Sequence, residues 1–568
     1  MRKYSLLLIL AFCTAPAAFS QTYITHASLI NVNTSKTDPD QTIVIENDRI
    51  TATGPSKKIK IPANATVIDA SGQFIMPGLT DAHIHFFQSG GLYTRPDGIN
   101  LNKVYPYEKD QQWVKDHLSD LMSRYLACGI TTVIDVGGPF SNYAIRDKAN
   151  ADTASVTAWV TGPLISTYLP PNLDKTDPPI IKINTPEEAR ELVKKQLPYK
   201  PDFIKIWYIV LPGQTAESTL PIVQAAIDES HAHGLKVAVH ATEYETAKLA
   251  VTAGADILVH SVDDKVLDSG MLELLKAKKT VYIPTLIVSE NYRRTFTQRF
   301  NFTAHDFTYA DPFMLGTLMD LKHIPAPVDY KVARTKYRVP SEKDSIMLVN
   351  LKLAEEAGVL VVSGTDAGNI ATLHAASFLT ELLAMQQAGL SNWEIIRSST
   401  INAAKGFGKD KDYGSIEKGK VADLILLEKD PVKDINALAD IHTVIHKGKT
   451  FYPHQLLPVT PEILVQQQLN AFNTHNIEAF LQPYSDSVTL YDQASGKLLM
   501  KGKEQVRLRY TDMFSKLTEL HCQLVNRMVV GNTVIDHEKL TGMRSTPVEA
   551  VAVYTIDKGK IVKVYFIR

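Results

Sequence analysis

The sequence predicts an α/β protein: a (β/α)8 TIM barrel set into a small composite β-sandwich, followed by an α+β unit. Three observations carry this. Eight apolar, strand-like runs alternate with helix-like segments through the middle of the chain, the content of a (β/α)8 barrel. Alternating strand patterns precede and follow that region. The last hundred or so residues form a helix-then-strand pattern with apolar residues of its own.

The first element is neither. MRKYSLLLILAFCTAPAAFSQ has a basic start (Arg2, Lys3), a short apolar run and then small residues, the layout of a secretory signal peptide. Residues 1–20 are expected to be removed after Ser20, leaving Gln21 first and no membrane anchor, in an exported (periplasmic or secreted) protein. A lipoprotein reading would use Cys13, but Phe12 is bulky where such sites need a small residue. Of the other two cysteines, Cys128 and Cys522 fall in different predicted domains, so export here does not rest on disulfides.

Residues 21–76 (YITHASLINVN, TIVIENDRITATG, ATVIDASGQFIMPG) alternate apolar and polar residues between turn residues, the first part of the β-sandwich. Residues 77–413 hold the barrel runs, at 78–86, 129–137, 154–162, 203–210, 236–241, 256–262, 281–287 and 359–367. PEEARELVKKQL and PIVQAAIDESHAHG are amphipathic helices between them. The long connections 87–110, 163–183 and 288–345 should build the rim and a lid at the C-terminal face. Residues 414–456 return to β texture and complete the sandwich, and Pro458 and Pro461 mark a linker. Residues 460–568 open with an amphipathic helix and continue as strands.

With 45% apolar and 21% charged residues and a net charge of -1, the chain offers no electrostatic case for nucleic acid or an anionic membrane surface. The expected partner is a small-molecule substrate.

Polar residues inside predicted barrel strands are the informative ones, since such strands prefer Val, Ile and Leu. His83 and His85 in PGLTDAHIHFF are two apart and share a face. His240 ends the fifth run, His260 the sixth and Asp366 the eighth, while Lys205 lies within FIKIW of the fourth. Alone, each reads as a structural hydrogen-bonding or snorkelling group. Six at equivalent ends of one barrel read as a metal site, because each displaces an apolar residue at a cost. His231 and His233 repeat the H-x-H spacing but sit at a helix end capped by Gly234, on the opposite side, and are assigned a structural role.

These residues resemble the amidohydrolase superfamily of metal-dependent hydrolases. The matching stretches are PGLTDAHIH, Lys205 in FIKIW, His240, His260, SGTDAG around Asp366, and STINAAKGFG followed by GSIEKGKVADLILL. The resemblance covers about residues 22 to 455 and is nearest to the imidazolonepropionase-like and Xaa-Pro dipeptidase-like branch. It implies two divalent metal ions, most simply Zn2+, bridged by a CO2-derived carbamate on Lys205. His83, His85 and Asp366 would bind one metal and His240 and His260 the other. Manganese, iron and cobalt suit the same ligand types. Two such metals lower the pKa of a shared water and polarise a carbonyl, while Asp366 moves the proton as the catalytic residue. The implied activity is hydrolysis of a C–N, amide or peptide-like bond. A one-metal deaminase or cyclic-imide hydrolase, and a catalytically silent scaffold with a small-molecule-binding terminal domain, are the competing readings.

Tyr208, Tyr292, Arg293 and Arg294 are candidate substrate contacts, arginine being suited to a carboxylate. The dipeptidases of the family it resembles carry a tyrosine where this chain has Thr242, so the resemblance implies a C–N hydrolase, dipeptidase included, without carrying peptide specificity over at that position. Residues 460–568 resemble a SnoaL-like, NTF2-like domain through the opening helix, IEAFLQPYSDSVTLYD and the closing strand pair. That implies a cone-shaped pocket and a binding or homo-oligomerisation module, with His521, Asp536 and His537 available to the pocket.

Overall fold

Strand β1 (Gln21–Asn31) is the first described element. The computed structural model describes residues 21–325, 330–331, 334–335 and 341–567, so the expected signal peptide and part of the 288–345 rim lie outside the described residues. β2 (Lys36–Glu46) and β3 (Arg49–Pro55) follow as an antiparallel meander, joined by a two-residue turn with Asn47 at φ 56°. Asn tolerates that left-handed backbone better than most residues. β4 (Thr66–Asp69) and β5 (Phe74–Pro77) both run parallel to β1.

The eight barrel runs all form strands. They are β6 (Leu79–Ile84), β7 (Ile130–Asp135) and β8 (Thr157–Val160), continued past a break by β9 (Leu164–Ser166), with β10 (Ile180–Lys182) on its edge. Then come β11 (Ile204–Trp207), β12 (Val237–His240), β13 (Ile257–Val259), β14 (Val281–Ile283) and β15 (Leu360–Val361). The break after β8 falls at Gly162-Pro163, where proline has no N–H for a ladder. β9 therefore takes over the pairing with β11, and Asp202 N donates to Val160 O at 3.0 Å to close the gap.

The eighth run, expected over 359–367, is regular only at its start. Beyond β15 it pairs with β6 through single bonds: Ala82 N to Ser363 O at 3.1 Å and His85 N to Ala367 O at 2.8 Å. Asp366 adopts φ 62°, which breaks the strand and closes the barrel in the same step. Inside, Ala82, Ile134, Phe203, Ile257, Val259 and Ile283 are fully buried. Each large apolar side chain there contributes roughly 1.5–3 kcal/mol relative to exposure.

The chain then returns to the first sheet. β16 (Leu424–Leu427) pairs antiparallel with β5, followed by β17 (Ile441–His446) and β18 (Lys449–Phe451), so one eight-stranded sheet is assembled from both ends of the barrel. Ile24, Ile43, Ile75, Leu424 and Leu426 fill its core.

The C-terminal domain is a six-stranded sheet backed by helices. β19 (Tyr484–Asp492) and β20 (Leu498–Lys501) precede the long antiparallel run β21 (His521–Val530), β22 (Thr533–Thr541), β23 (Val548–Asp557) and β24 (Lys560–Ile567). Beyond the expected opening helix, now Pro461–Asn473, a helix at Lys503–Lys516 stands where strands were expected to follow directly. Its charged surface disguises a buried stripe of Val506, Tyr510 and Phe514, four residues apart.

Helix Pro461–Asn473 also docks this domain on the barrel. Leu469 and Phe472 face the C-terminal core, whereas Asn470 Nδ2 donates to Pro312 O at 2.6 Å and Gln466 Nε2 to Asn470 Oδ1 at 2.9 Å. Gly316 permits the approach: a Cβ there would lie 2.7 Å from Gln466 Nε2. One apolar cluster runs from Leu92 and Met314 of the barrel rim to Phe472 and Phe480. Among the described residues, no helix is long and apolar enough to cross a membrane.

Candidate active site

The C-terminal ends of β6, β11, β12, β13 and β15 converge on one cluster. His83 and His85 leave β6 on the same face, and each places Nε2 near Asp366 Oδ1, at 3.4 and 3.2 Å. The His83 and His260 ring centres are 4.8 Å apart, and those of His240 and His260 are 4.4 Å apart. Lys205, on the inner face of β11, is 1% exposed and borders the same cavity. All six expected ligand positions are thus brought together.

The supporting bonds orient the rings. His85 Nδ1 donates to Gly137 O at 2.7 Å, which aims Nε2 inward. Asp135 fixes that carbonyl's loop by accepting from Gly137 N at 2.9 Å, Phe86 N at 2.8 Å and Asn142 Nδ2 at 2.8 Å. His260 Nδ1 pairs with Thr285 Oγ1 at 2.7 Å. Both residues, at φ 73° and 46°, hold left-handed backbone, as Asp366 does. Such strain costs of order 1–3 kcal/mol per residue and collects at functional sites. Asp81 lies beneath the cluster, accepting from Thr365 Oγ1 at 2.7 Å and Thr365 N at 3.0 Å, so the segments carrying His83 and Asp366 are clipped together. Gly364 is required there, since a Cβ would fall 2.8 Å from that of His83.

Burial pushes His83, His240 and His260 well below the usual imidazole range, which leaves them neutral, the form that ligates metals. Burial also lowers the Lys205 amine to about 7. Burial would raise Asp366, but His85, His260 and Arg95 outweigh it and keep the carboxyl below its ordinary value.

The set fits a metal. His83, His85 and Asp366 offer ligand atoms within 4.8 Å of one another, all from buried residues. Both ring nitrogens of His83 and the Nζ of Lys205 are buried without a hydrogen-bond partner among the described residues. An unsatisfied buried polar group costs about 1–3 kcal/mol, a cost that coordination removes.

The cavity above the cluster has a volume of about 700 Å3. Of the expected substrate contacts, Tyr292 and Arg293 line it. Arg293 is held by the Glu290 carboxylate, as is Arg294. Tyr208 lies apart from it: its ring is buried and its hydroxyl donates to Ala216 O. The sequence reading missed Arg95, Asp97 and Asn369, which form one wall. Arg95 makes two bonds to Asp97, at 2.8 and 2.6 Å, and a third to Asn369 Oδ1. Nothing in RPDG marked Arg95 and Asp97, because that rim loop returns to the site only through the fold, whereas Asn369 directly follows SGTDAG and its proximity to Asp366 was the available signal.

His231 and His233 lie at the other end of the barrel, as expected, paired with Asp256 and Glu229. In the C-terminal domain, His521 meets His323 at the interface with the barrel, Asp536 is paired with Arg527, and His537 with Glu549. None of the three lines that domain's cavity; its polar lining includes Glu538, Gln468, Cys522 and Tyr554, with Arg544 and Glu549 at the mouth.

Comparison with known proteins gives two family matches: the Amidohydrolase family over residues 74–451 and a SnoaL-like domain over residues 465–564. An uncharacterized protein of Mycobacterium tuberculosis is 27% identical over 232 residues, 41% of this chain and 52% of that protein. The enamidase of Eubacterium barkeri is 28% identical over 208 residues, 35% of this chain and 44% of the enamidase. The chain thus spans about half the length of these relatives. The imidazolonepropionase of Geobacillus kaustophilus is more distant, 23% identical, but is matched over 67% of this chain and 82% of its own. Among solved structures, a Xaa-Pro dipeptidase with bound methionine superposes with TM-score 0.59 at 24% identity, covering 76% of this chain and all of the dipeptidase. At that identity the likeness establishes the fold.

Proposed function

This chain belongs to the amidohydrolase family, and on that premise we propose that it hydrolyses a C–N bond of a small amide-like molecule at the cluster around Asp366. The observation that carries the reading is the convergence of four histidines, Asp366 and Lys205, with the Lys205 Nζ buried and without a hydrogen-bond partner among the described residues. Relatives named enamidase, dihydroorotase and imidazolonepropionase support the same bond class.

His83, His85 and Asp366 would hold one divalent metal and His240 and His260 a second, most simply zinc, with Lys205 as a carbamate between them. Metals so bound activate water and polarise a carbonyl. Lys205 is suited to the carbamate because burial keeps a share of its amine neutral near pH 7, the form that adds CO2. Asp366, held ionised by its neighbours, accepts the proton of the attacking water and passes it to the leaving nitrogen. The Arg95–Asp97 pair and Asn369 form a fixed polar wall against which the substrate is oriented. The reading includes export by residues 1–20.

A panel of dipeptides, N-acyl amino acids, lactams, lactones and nucleobases, assayed with zinc-loaded chain and Asp366→Asn as the blank, tests it. Turnover of a C–N substrate by wild type alone is expected; no difference on any substrate would sink the reading. Metal analysis decides the finer point, with about two ions expected. The one-metal alternative is favoured by the three-donor group of His83, His85 and Asp366. It would prevail if one ion is found and Lys205→Ala leaves it in place.

A further inference from the structure

The C-terminal domain encloses a second cavity of about 350 Å3, remote from the barrel cluster in lining and chemistry. Phe472, Tyr484, Tyr510, Met513 and Phe566 form much of its wall. Among them lies Glu538, only 7% exposed. The Tyr554 hydroxyl donates to Glu538 Oε1 at 3.1 Å, and the Cys522 thiol lies beside the same carboxyl.

Glu538 has no cation of its own among the described residues. The guanidinium on the adjacent strand, Arg527, is spent on Asp536, with two bonds at 2.7 and 2.6 Å, and on Gln466 Oε1 at 2.8 Å. Arg544 and Glu549 reach the cavity mouth, but both are exposed and of opposite sign, so charge selection rests with Glu538. Burial, with Asp536 adding to it, pushes the Glu538 carboxyl up to about 7. A carboxyl buried in a cavity with its neighbouring guanidinium engaged elsewhere has room for a cation beside it. An organic ammonium would supply the other half by a charge-assisted hydrogen bond, and aromatic faces attract the same cation. A carboxylate ligand would be repelled.

We propose that this cavity binds a primary amine as its ammonium ion, with the nitrogen at Glu538 and an aromatic or branched apolar body against Phe472, Tyr510 and Met513. An amine is also what C–N hydrolysis releases, yet the proposal stands whatever the barrel does.

The test uses the full chain and fluorine NMR at pH 7.5, with 4-fluorobenzylamine, 4-fluorobenzamide and 4-fluorobenzoate as probes of one shape and three charges. The amine is expected to bind at least tenfold more tightly than the amide, and the benzoate not measurably. Glu538→Gln, which keeps the shape and removes the charge, should weaken the amine tenfold or more. Ala550→Phe, which fills the cavity and leaves Glu538 in place, should abolish its binding. Equal binding of amine and amide to wild type, or amine binding left unchanged by either substitution, would overturn the proposal.

Discussion

His85 Nε2 and Asp366 Oδ1 approach to 3.2 Å across the seam where the last barrel strand meets the first. The contacts that close the barrel therefore also bring the candidate metal-binding residues together. Asp366 N also donates to His83 O at 2.6 Å, so the backbone holds the two ligand segments even when a side chain is changed. Asp366→Asn is accordingly expected to keep the fold and lower kcat by roughly 10²- to 10⁴-fold, the usual range for loss of a proton-transfer group. Circular dichroism and kcat on the same preparation check both halves.

Asp135 touches no ligand atom facing the cluster, yet it should matter to metal affinity. It accepts three hydrogen bonds, one from the glycine whose carbonyl orients His85. Asparagine would turn an amide NH2 toward at least one of these donors, at a cost of about 1–3 kcal/mol. Loss of such an orienting partner weakens metal binding by about 10- to 100-fold. Competitive chelator titration of Asp135→Asn against wild type measures it, and unchanged affinity would remove Asp135 from the site's support.

Lys205 should affect metal-free and metal-loaded protein in opposite directions. Its Nζ is buried with no hydrogen-bond partner among the described residues, an arrangement that costs about 1–3 kcal/mol in the stripped chain. Lys205→Met fills the same space without the amine. The stripped variant should therefore melt above stripped wild type, while its metal content falls from about two ions to one. Calorimetry after chelation and metal analysis after reloading read the two effects, and a lower melting point in the stripped variant would contradict the first.

The six clustered residues stood out in the sequence because they break a local rule: polar residues stand in strands where apolar ones belong. His83, His85, Lys205, His240, His260 and Asp366 each carry that signal alone. Arg95 and Asp97 break no such rule, since charged residues in loops are ordinary, and only the fold brings them to the cavity wall, while Asn369 is a polar loop residue three places past Asp366. Tyr208 misled for the converse reason: it follows a ligand strand closely, but its ring is part of the apolar packing. In the C-terminal domain the strand period decided. Asp536 and Glu538 share the inward face of β22 and His537 the outward one, so the cavity's polar residue is one place along from the histidine.

The docking of the C-terminal domain should weaken in acid through His521. Its Nε2 lies 3.1 Å from His323 Nδ1 across the domain interface. Burial, reinforced by the charges of His323, Lys322 and His475, pushes His521 down to about 3, and burial lowers His323 as well. The unfolded chain protonates such an imidazole near its ordinary value of about 6.5. Between that pH and about 3 the unfolded state binds a proton that the docked state refuses, so stability is complete above the window and declines as pH falls through it. By pH 5 the loss from this one group is about 2 kcal/mol. Asp320 opposes it: burial raises its carboxyl to about 7, so the folded state takes up that proton and gains stability over the same fall in pH. The net slope of wild type is thus a difference, and the informative quantity is the comparison with His521→Gln, which retains a hydrogen-bonding group and cannot titrate. From pH 7 to pH 5 the melting temperature of wild type should drop relative to that of the variant. Equal falls would show that His521 does not sense the interface.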